Sequence, residues 1–344
     1  MIIFTWSGFP QYAARCIGAF VAATREKVFV VATRPRVPVE GMERACGCPV
    51  LWHDADERME SFRKDLPDID SHTVVFCCGW NVPYFNELRD AVKEAGGRAI
   101  LMNDANYVLS VKTVFRAIRF RMLFRRKYDG FLVPGKSGRR MARFNGVPDE
   151  KIAQGMYVAD PALFRCRTPI SARPKEIIYV GQFIDRKNVM RMCQAFASAG
   201  LKDWKLRLYG SGPLRDALMN KFNRQDIQIN DFVQPEQLAE LYQSARVFCL
   251  PSLEEHWGVV VHEAALSGCY LLLSKGIGAG EDFLGEKNGY MFDPLNEKTI
   301  SDAFARLRFM EEPDWNAAET ESLDLASRQD FTTFISGVSR LVGE

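Results

Sequence analysis

The stretch Pro251-Ser-Leu-Glu-Glu-His-Trp-Gly-Val-Val-Val-His-Glu-Ala-Ala-Leu-Ser-Gly268 carries the most informative chemistry in the chain. It puts Glu254 and Glu255 in a loop straight after a strand-like run, and Gly258 then opens a helix bearing Glu263. The first N–H groups of a helix have no intrahelical acceptor and carry partial positive charge, which suits a phosphate. Glu255 stands at the mouth of that loop. Glu263, one turn inside, is placed to accept hydrogen bonds from a ribose diol. The same residues also read as an acidic loop followed by an ordinary helix glutamate, and spacing by itself leaves both readings open. Asp54-Ala-Asp56 and Asp68-Ile-Asp70 spell D-x-D, a metal-binding pattern. Such triplets arise easily by chance, and Asp56 also precedes a helical pattern that it could cap. His256 and His262 flank the glutamates at a spacing that suits no zinc site. His262 reads as a helix-surface residue and His256 as part of the loop. No metal site is expected.

The elements that position these residues alternate. Short β-rich runs near 2–6, 27–33, 73–78, 98–103, 129–133 and 153–157 are separated by helical patterns near 11–23, 57–65, 83–95, 112–126 and 135–144. The segment from Asp160 to Pro174 holds three prolines and no clear period, so it reads as a linker. The alternation restarts at Glu176-Ile-Ile-Tyr-Val-Gly181. Helices are expected near 187–199, 213–222, 235–243, 259–267, 297–310 and 330–342, and strands at 205–209, 246–251 and 270–274. This is the pattern of parallel sheets flanked by helices. It predicts two similar α/β domains with a cleft between them. In such open sheets, ligands bind beyond the carboxyl ends of the strands.

Of the 344 residues, 47% are apolar and 26% charged, which excludes a disordered chain, a collagen and a small disulfide scaffold. A net charge of +2 gives no sign of nucleic-acid binding. The charge is uneven, however. Residues 1–168 hold 26 Lys+Arg against 18 Asp+Glu, and residues 169–344 hold 19 against 25. Seven cations and no acid fall within 112–127, interleaved with Phe115, Phe120, Leu123 and Phe124. On a helical plot the cations do not share one face. The segment reads either as an amphipathic core helix with a solvated side or as a surface for an anionic membrane or a pyrophosphate-linked lipid, with Arg125, Arg126 and Lys127 as its contacts. The N-terminal run reads as a first strand rather than a signal peptide. Nothing approaches the length of a membrane span. Nine scattered cysteines without a C-x-x-C pair suggest a reduced, cytoplasmic protein.

The 251–268 segment resembles the E-x7-E signature of the retaining glycosyltransferases of family 4, which have the GT-B fold. Glu255 and Glu263 are the two glutamates, and Pro251, Ser252, Gly258, Ala264 and Gly268 match the usual flanking positions. Val180-Gly-Gln-Phe-Ile-Asp-Arg-Lys187, Leu208-Tyr-Gly-Ser-Gly212, Asp231-Phe-Val233, Leu238 to Ala245, Gly278-Ala-Gly-Glu281 and Asn288-Gly-Tyr-Met-Phe292 resemble further landmarks in the family's order. So do Arg143 to Ile152 and Tyr157 to Asp160. The resemblance is strong over about 135–310 and weak over 1–130.

The resemblance implies GT-B architecture, with two Rossmann-like parallel-sheet domains facing across a cleft. Residues 1–168 would form the acceptor side and 169–329 the nucleotide-sugar donor domain, with a helix at 330–344 packing back on the first. It implies retaining transfer of a hexose-type sugar from a UDP- or GDP-sugar to a glycan or lipid-linked oligosaccharide. The setting would be bacterial capsule, exopolysaccharide or lipopolysaccharide assembly, on the inner face of the cytoplasmic membrane. No cofactor or metal is implied. Lys187 would balance the diphosphate as the bond to C1 breaks, and Glu255 would approach the transferred sugar. Glu263 would hold the ribose. Gly181, Gln182, Arg186, Val233, His256, Trp257, Gly258 and Val259 complete the donor side. Gln182 stands where the family has Arg, so it can hydrogen-bond phosphate but cannot neutralise it; Arg186 is the neighbouring cation. In the first half, Gly8 lies in a loop that in the family lets the backbone approach the donor phosphates, and it stands alone where two glycines are usual. Asn103 and Asp104 replace a histidine near the reacting centre, and Asp104 reads equally as a turn or helix-cap residue. An inactive nucleotide-sugar-binding or regulatory protein is the alternative. A nicotinamide oxidoreductase is disfavoured, because Ser7-Gly-Phe-Pro-Gln11 is not G-x-G-x-x-G.

Overall fold

The computed structural model describes residues 1–35, 41–53, 65–66, 68–80 and 82–343. Runs such as Ile2–Trp6, Val247–Leu250 and Tyr270–Ser274 are buried along their whole length. Continuous apolar strands of this kind suit parallel sheets covered on both faces. Two such sheets form. The first contains β1 (Ile2–Trp6), β2 (Val28–Ala32), β3 (Val50–Trp52), β4 (Val74–Cys78), β5 (Arg98–Met102), β6 (Gly130–Val133) and β7 (Ile152–Gln154), in the order β3-β2-β1-β4-β5-β6-β7. The second contains β8 (Glu176–Val180), β9 (Lys205–Tyr209), β10 (Ile227–Asn230), β11 (Val247–Leu250), β12 (Tyr270–Ser274) and β13 (Gly289–Phe292), in the order β10-β9-β8-β11-β12-β13. Every pairing is parallel, for example Ile2 opposite Val28 and Val74, and Ile177 opposite Leu206 and Val247.

The chain divides into two units, Met1–Val158 with Gln329–Glu344, and Ala159–Arg328. The boundary therefore falls at 158/159, ten residues before the one read from sequence. The proline-rich segment is packed rather than free. Phe164 is buried against Tyr242, and the Cys166 N–H donates to Leu266 O. The buried Arg173 guanidinium donates to the carbonyls of Thr168, Tyr242, Ala245 and Ser267. Prolines end regular structure there without releasing the chain.

His262 also departs from its surface reading. It is fully buried and stacked on Phe283 at 4.3 Å. Its Nδ1 accepts from the Ala159 N–H at 3.1 Å, so Nε2 carries the proton and donates to Ala326 O at 3.0 Å. It thus ties the first and last segments of the second unit to one helix. The helix Glu312–Ser327 has no counterpart in the sequence reading. Its surface is polar, and only Trp315, Ala318, Ser322 and Ala326 turn inward. Helix Met42–Cys46 and β10 are too short for periodicity to reveal. Most of the pattern at 57–65 lies outside the described residues. Among the described residues no helix is long and apolar enough to cross a membrane.

The last helix, Phe331–Val342, lies on the first sheet. Asp330 caps it with its carboxylate on the Thr332 and Thr333 N–H groups, and Phe334, Val338 and Leu341 are buried. A Cβ at Gly337 would lie 2.4 Å from Gln154 O. Alanine at a free helix position would add about 1 kcal/mol. Here we predict the opposite sign: Gly337→Ala lowers stability by about 1–3 kcal/mol in urea unfolding, because the helix must lift off the strand. A gain would show that this contact is not close.

Candidate active site

In the second sheet the winding reverses between β8 and β11, which lie side by side. The crevice beyond the carboxyl ends at such a switch point is where open α/β sheets bind ligands. The loops leaving these two strands carry Lys187 and Glu255.

After β8 the chain makes a tight passage. Gly181 has φ +153°, and a Cβ there would lie 2.8 Å from the Tyr179 hydroxyl, which donates to Gln182 O. A Cβ on Gly210, after β9, would lie 1.9 Å from Gly181 O. Asp185–Lys187 then forms one 3-10 turn, closed by Asn188 in the left-handed region at φ +57°. The Asn188 amide donates to Pro251 O at 3.2 Å and Pro294 O at 2.9 Å, and the Leu253 N–H donates to Arg186 O at 2.8 Å. These bonds stitch the β8 loop to the β11 loop.

Lys187 and Glu255 meet there, both buried. The lysine ammonium donates to Glu255 Oε2, which also accepts from Ser252 Oγ at 3.2 Å. Arg186 is exposed. It donates to Glu254 O at 2.6 Å and stands 3.7 Å from Glu255 Oε2. Gln182 is exposed, and His256 is exposed with Nε2 3.7 Å from Glu254 Oε1. Trp257 is buried against Phe283, and its indole N–H finds no acceptor among the described residues.

Gly258, at φ +90°, precedes the helix Val259–Leu266. A Cβ there would press on the Glu255 side chain at 3.2 Å. The N–H groups of Val259 and Val260 open the helix without intrahelical acceptors. One turn on, Glu263 accepts from the Tyr242 hydroxyl at 3.3 Å. Part of Glu263 stays exposed, but its surroundings withdraw enough water to push its pKa from 4.5 to about 7, with the Tyr242 bond opposing. Tyr242 is itself pushed well above its usual value by burial and by the Glu263 charge. Val233 is half-buried and follows β10 on the same edge.

The sequence reading named the two glutamates and the lysine. It missed Asn188 and Tyr242, whose roles are long-range bonds, and it named Ser252 only as a flanking match, without its bond to Glu255. An asparagine directly after the lysine was the one available signal, since Asn tolerates the left-handed region.

In the first unit, Gly8 follows β1 at φ +66°, and its N–H donates to Thr33 Oγ1 at 2.7 Å. Asn103 and Asp104 follow β5. Asn103 makes a turn by accepting from the Ala105 N–H at 3.0 Å, and Asp104 accepts from the Tyr157 hydroxyl at 3.4 Å. The switch point of this sheet lies between β1 and β4, so Gly8 borders it, whereas Asn103 and Asp104 are one strand removed. Asp70 holds a turn, accepting from the His72 N–H and the Thr73 hydroxyl. Asp54 and Asp56 lie outside the described residues. Among the described residues no group of three or more His, Cys, Asp or Glu is gathered to hold a metal ion.

Residues 163–320 match the family model of Glycosyl transferases group 1. The matched stretch lies within the second unit, Ala159–Arg328. An uncharacterised glycosyltransferase of Methanocaldococcus jannaschii is 27% identical to the chain over 163 residues, covering 46% of this chain and 42% of that protein. The chain spans less than half the length of the curated relatives it matches. Anabaena HepE, in a crystal structure with UDP and glucose, superposes with a TM-score of 0.75 at 14% identity over 100% of this chain and 99% of that one. WaaG, a glycosyltransferase involved in lipopolysaccharide biosynthesis, gives 0.63 at 16% identity over 99% of each chain. What is shared at these identities is the fold, GT-B, with two Rossmann-like parallel-sheet domains.

The raised Glu263 pKa has a direct consequence. The unfolded carboxyl ionises near 4.5 and the folded one near 7, so between those values the native state holds the extra proton. Stability therefore falls as pH rises through that window and stays at the lower level above it. Glu263→Gln should melt higher than the parent at pH 8 without ligand, with the difference closing toward pH 4.5. A pH-independent difference would contradict the burial of this carboxyl.

Proposed function

We propose that the chain transfers a hexose-type sugar from a nucleotide-sugar donor, with retention, to a glycan or lipid-linked acceptor. The observation that carries this reading is the pairing of Lys187 with Glu255 at the switch point, with Glu263 one helical turn behind Gly258. A nucleoside diphosphate presents three groups to such an edge. Its phosphates fit Lys187 and the Val259 and Val260 N–H groups, its ribose hydroxyls fit Glu263, and its base fits the half-buried backbone around Val233. The Glu255 carboxylate is left for the sugar.

Glu255 neutralises Lys187. When the diphosphate arrives, it replaces Glu255 as the lysine's partner. Lys187 then balances the charge that grows on the leaving phosphate as the bond to C1 breaks. Released, Glu255 orients sugar hydroxyls and faces the positive charge developing at C1. Gln182 contributes hydrogen bonds without charge, and Arg186 adds the second cation. The crystal structure of HepE with UDP and glucose supports a UDP-sugar as the first donor to test. In the first unit, the loop of Gly8 would bring backbone to the donor phosphates, and Asn103 and Asp104 stand where the resemblance puts contact with the acceptor or the sugar. The setting is surface polysaccharide assembly at the cytoplasmic face of a membrane, a class to which the WaaG likeness lends support. The charge balance is met by side chains, so turnover should survive EDTA.

A thermal-shift panel of nucleoside diphosphates should raise the melting temperature with one of them and not with NAD, and Glu263→Ala should abolish that rise. Lys187→Ala should lower kcat/KM by about 10²–10³-fold in a donor-hydrolysis assay. No response to any nucleotide, or near-parental turnover without Lys187, would overturn the reading. Nucleotide binding without hydrolysis or transfer would favour a binding or regulatory protein instead.

A further inference from the structure

Among the described residues twelve large apolar side chains are exposed, and eight of them fall between Val108 and Leu123. Six lie on the helix Val111–Leu123, and five of them, Val111, Val114, Phe115, Ile118 and Met122, share one face. At about 100° per residue they form one stripe about 100° wide. A stripe of this width ordinarily faces a core. Here the core side is the opposite one, held by Ala117 and Phe120, with Phe120 edge-on to Phe131 at 5.8 Å. The stripe faces outward, with Val111 74%, Phe115 69% and Met122 77% exposed. Val108 and Leu109, just before the helix, extend it.

Cations border the stripe on both sides. Lys112, Arg116 and Arg119 fall along one edge and Arg121 along the other, and Arg125, Arg126 and Lys127 follow in the next turn. No Asp or Glu occurs from 105 to 128. None of the seven cations forms an ion pair among the described residues. Three rest on rings instead: Arg119 on Trp80 at 5.6 Å, Arg121 on Phe144 at 5.9 Å and Lys127 on Phe124 at 5.8 Å. The scatter of cations around the helical plot is thereby explained, since they flank an apolar line.

We propose that this helix lies in the plane of an anionic bilayer, with Val111, Phe115, Ile118 and Met122 in the headgroup–acyl boundary and the flanking cations on lipid phosphates. Snorkelling lysine and arginine stems suit that depth. A second copy of the chain is the poorer occupant, because a two-fold contact would set seven cations against seven. The inference deepens the reading of a lipid-linked acceptor and rests on it for why a transferase would seek a membrane. The surface itself is tested separately.

The full chain is floated with vesicles of phosphatidylcholine, with or without phosphatidylglycerol. Binding should require the anionic lipid and weaken with salt. The double change Phe115→Ser with Met122→Ser should weaken it about tenfold, with unchanged circular dichroism and an unchanged nucleotide-induced thermal shift. Arg125→Ala, Arg126→Ala and Lys127→Ala together should also weaken it. Met122→Trp should show a blue-shifted emission on anionic vesicles, marking insertion. Equal binding by the serine variant, or equal binding to neutral vesicles, would overturn the proposal. So would a dimer, seen in sedimentation without lipid, that the serine variant abolishes. Vesicle binding by a chain that binds no nucleotide would leave this surface standing and defeat the transferase reading.

Discussion

The buried ion pair between Lys187 and Glu255 is the contact around which the second unit is organised. Taking two charges out of water is costly, and removing either partner leaves the other stranded. The surrounding geometry exists to hold them together. Asn188 takes the left-handed conformation so that its amide can grip Pro251 and Pro294, Ser252 adds a hydroxyl to the carboxylate, and Leu253 ties back to Arg186. The glycines at 181 and 210 let the β8 and β9 loops pass within contact distance. Parallel pairing of β8 with β11 brings the two loops to one edge in the first place. A pair held this way carries charge that is matched but exchangeable. A ligand with its own negative charge can take the lysine and leave the carboxylate available.

That arrangement explains what was readable in advance. Glu255 and Glu263 stood out because they match a family signature; their spacing alone left an ordinary acidic loop and helix glutamate equally open. The alternation of strand and helix patterns translated into two parallel sheets. Tyr242 and Asn188 were not readable, because their partners are distant in sequence or depend on a backbone conformation that periodicity does not encode. His262 looked like a surface residue for the same reason: the carbonyl and amide that satisfy it come from residues 326 and 159. The helix Glu312–Ser327 escaped notice because so few of its side chains turn inward. In the first unit, placing Asn103 and Asp104 needs the strand order, which puts the switch point at β1 and β4 instead.

The uneven charge of the chain resolves into two local causes. The second unit is acidic as a whole, yet under the proposed reading a few fixed groups, one lysine and two helix N–H groups, would receive an anion there. Net charge is a poor guide to such a site, because the Coulomb energy of a close, partly buried contact outweighs many distant, screened charges. In the first unit the basic excess is concentrated beside an apolar stripe that faces away from its own core. Charge and hydrophobicity point to the same kind of surface there, whereas neither alone decides it.

The central claim is that an incoming diphosphate displaces Glu255 from Lys187. Titration calorimetry of UDP and GDP against the parent chain and Glu255→Gln tests it most directly. If the carboxylate competes for the lysine, the glutamine variant binds the preferred nucleotide more tightly, while Lys187→Met binds it more weakly. Equal or weaker binding by Glu255→Gln would mean that the lysine never changes partners, and the account would be wrong.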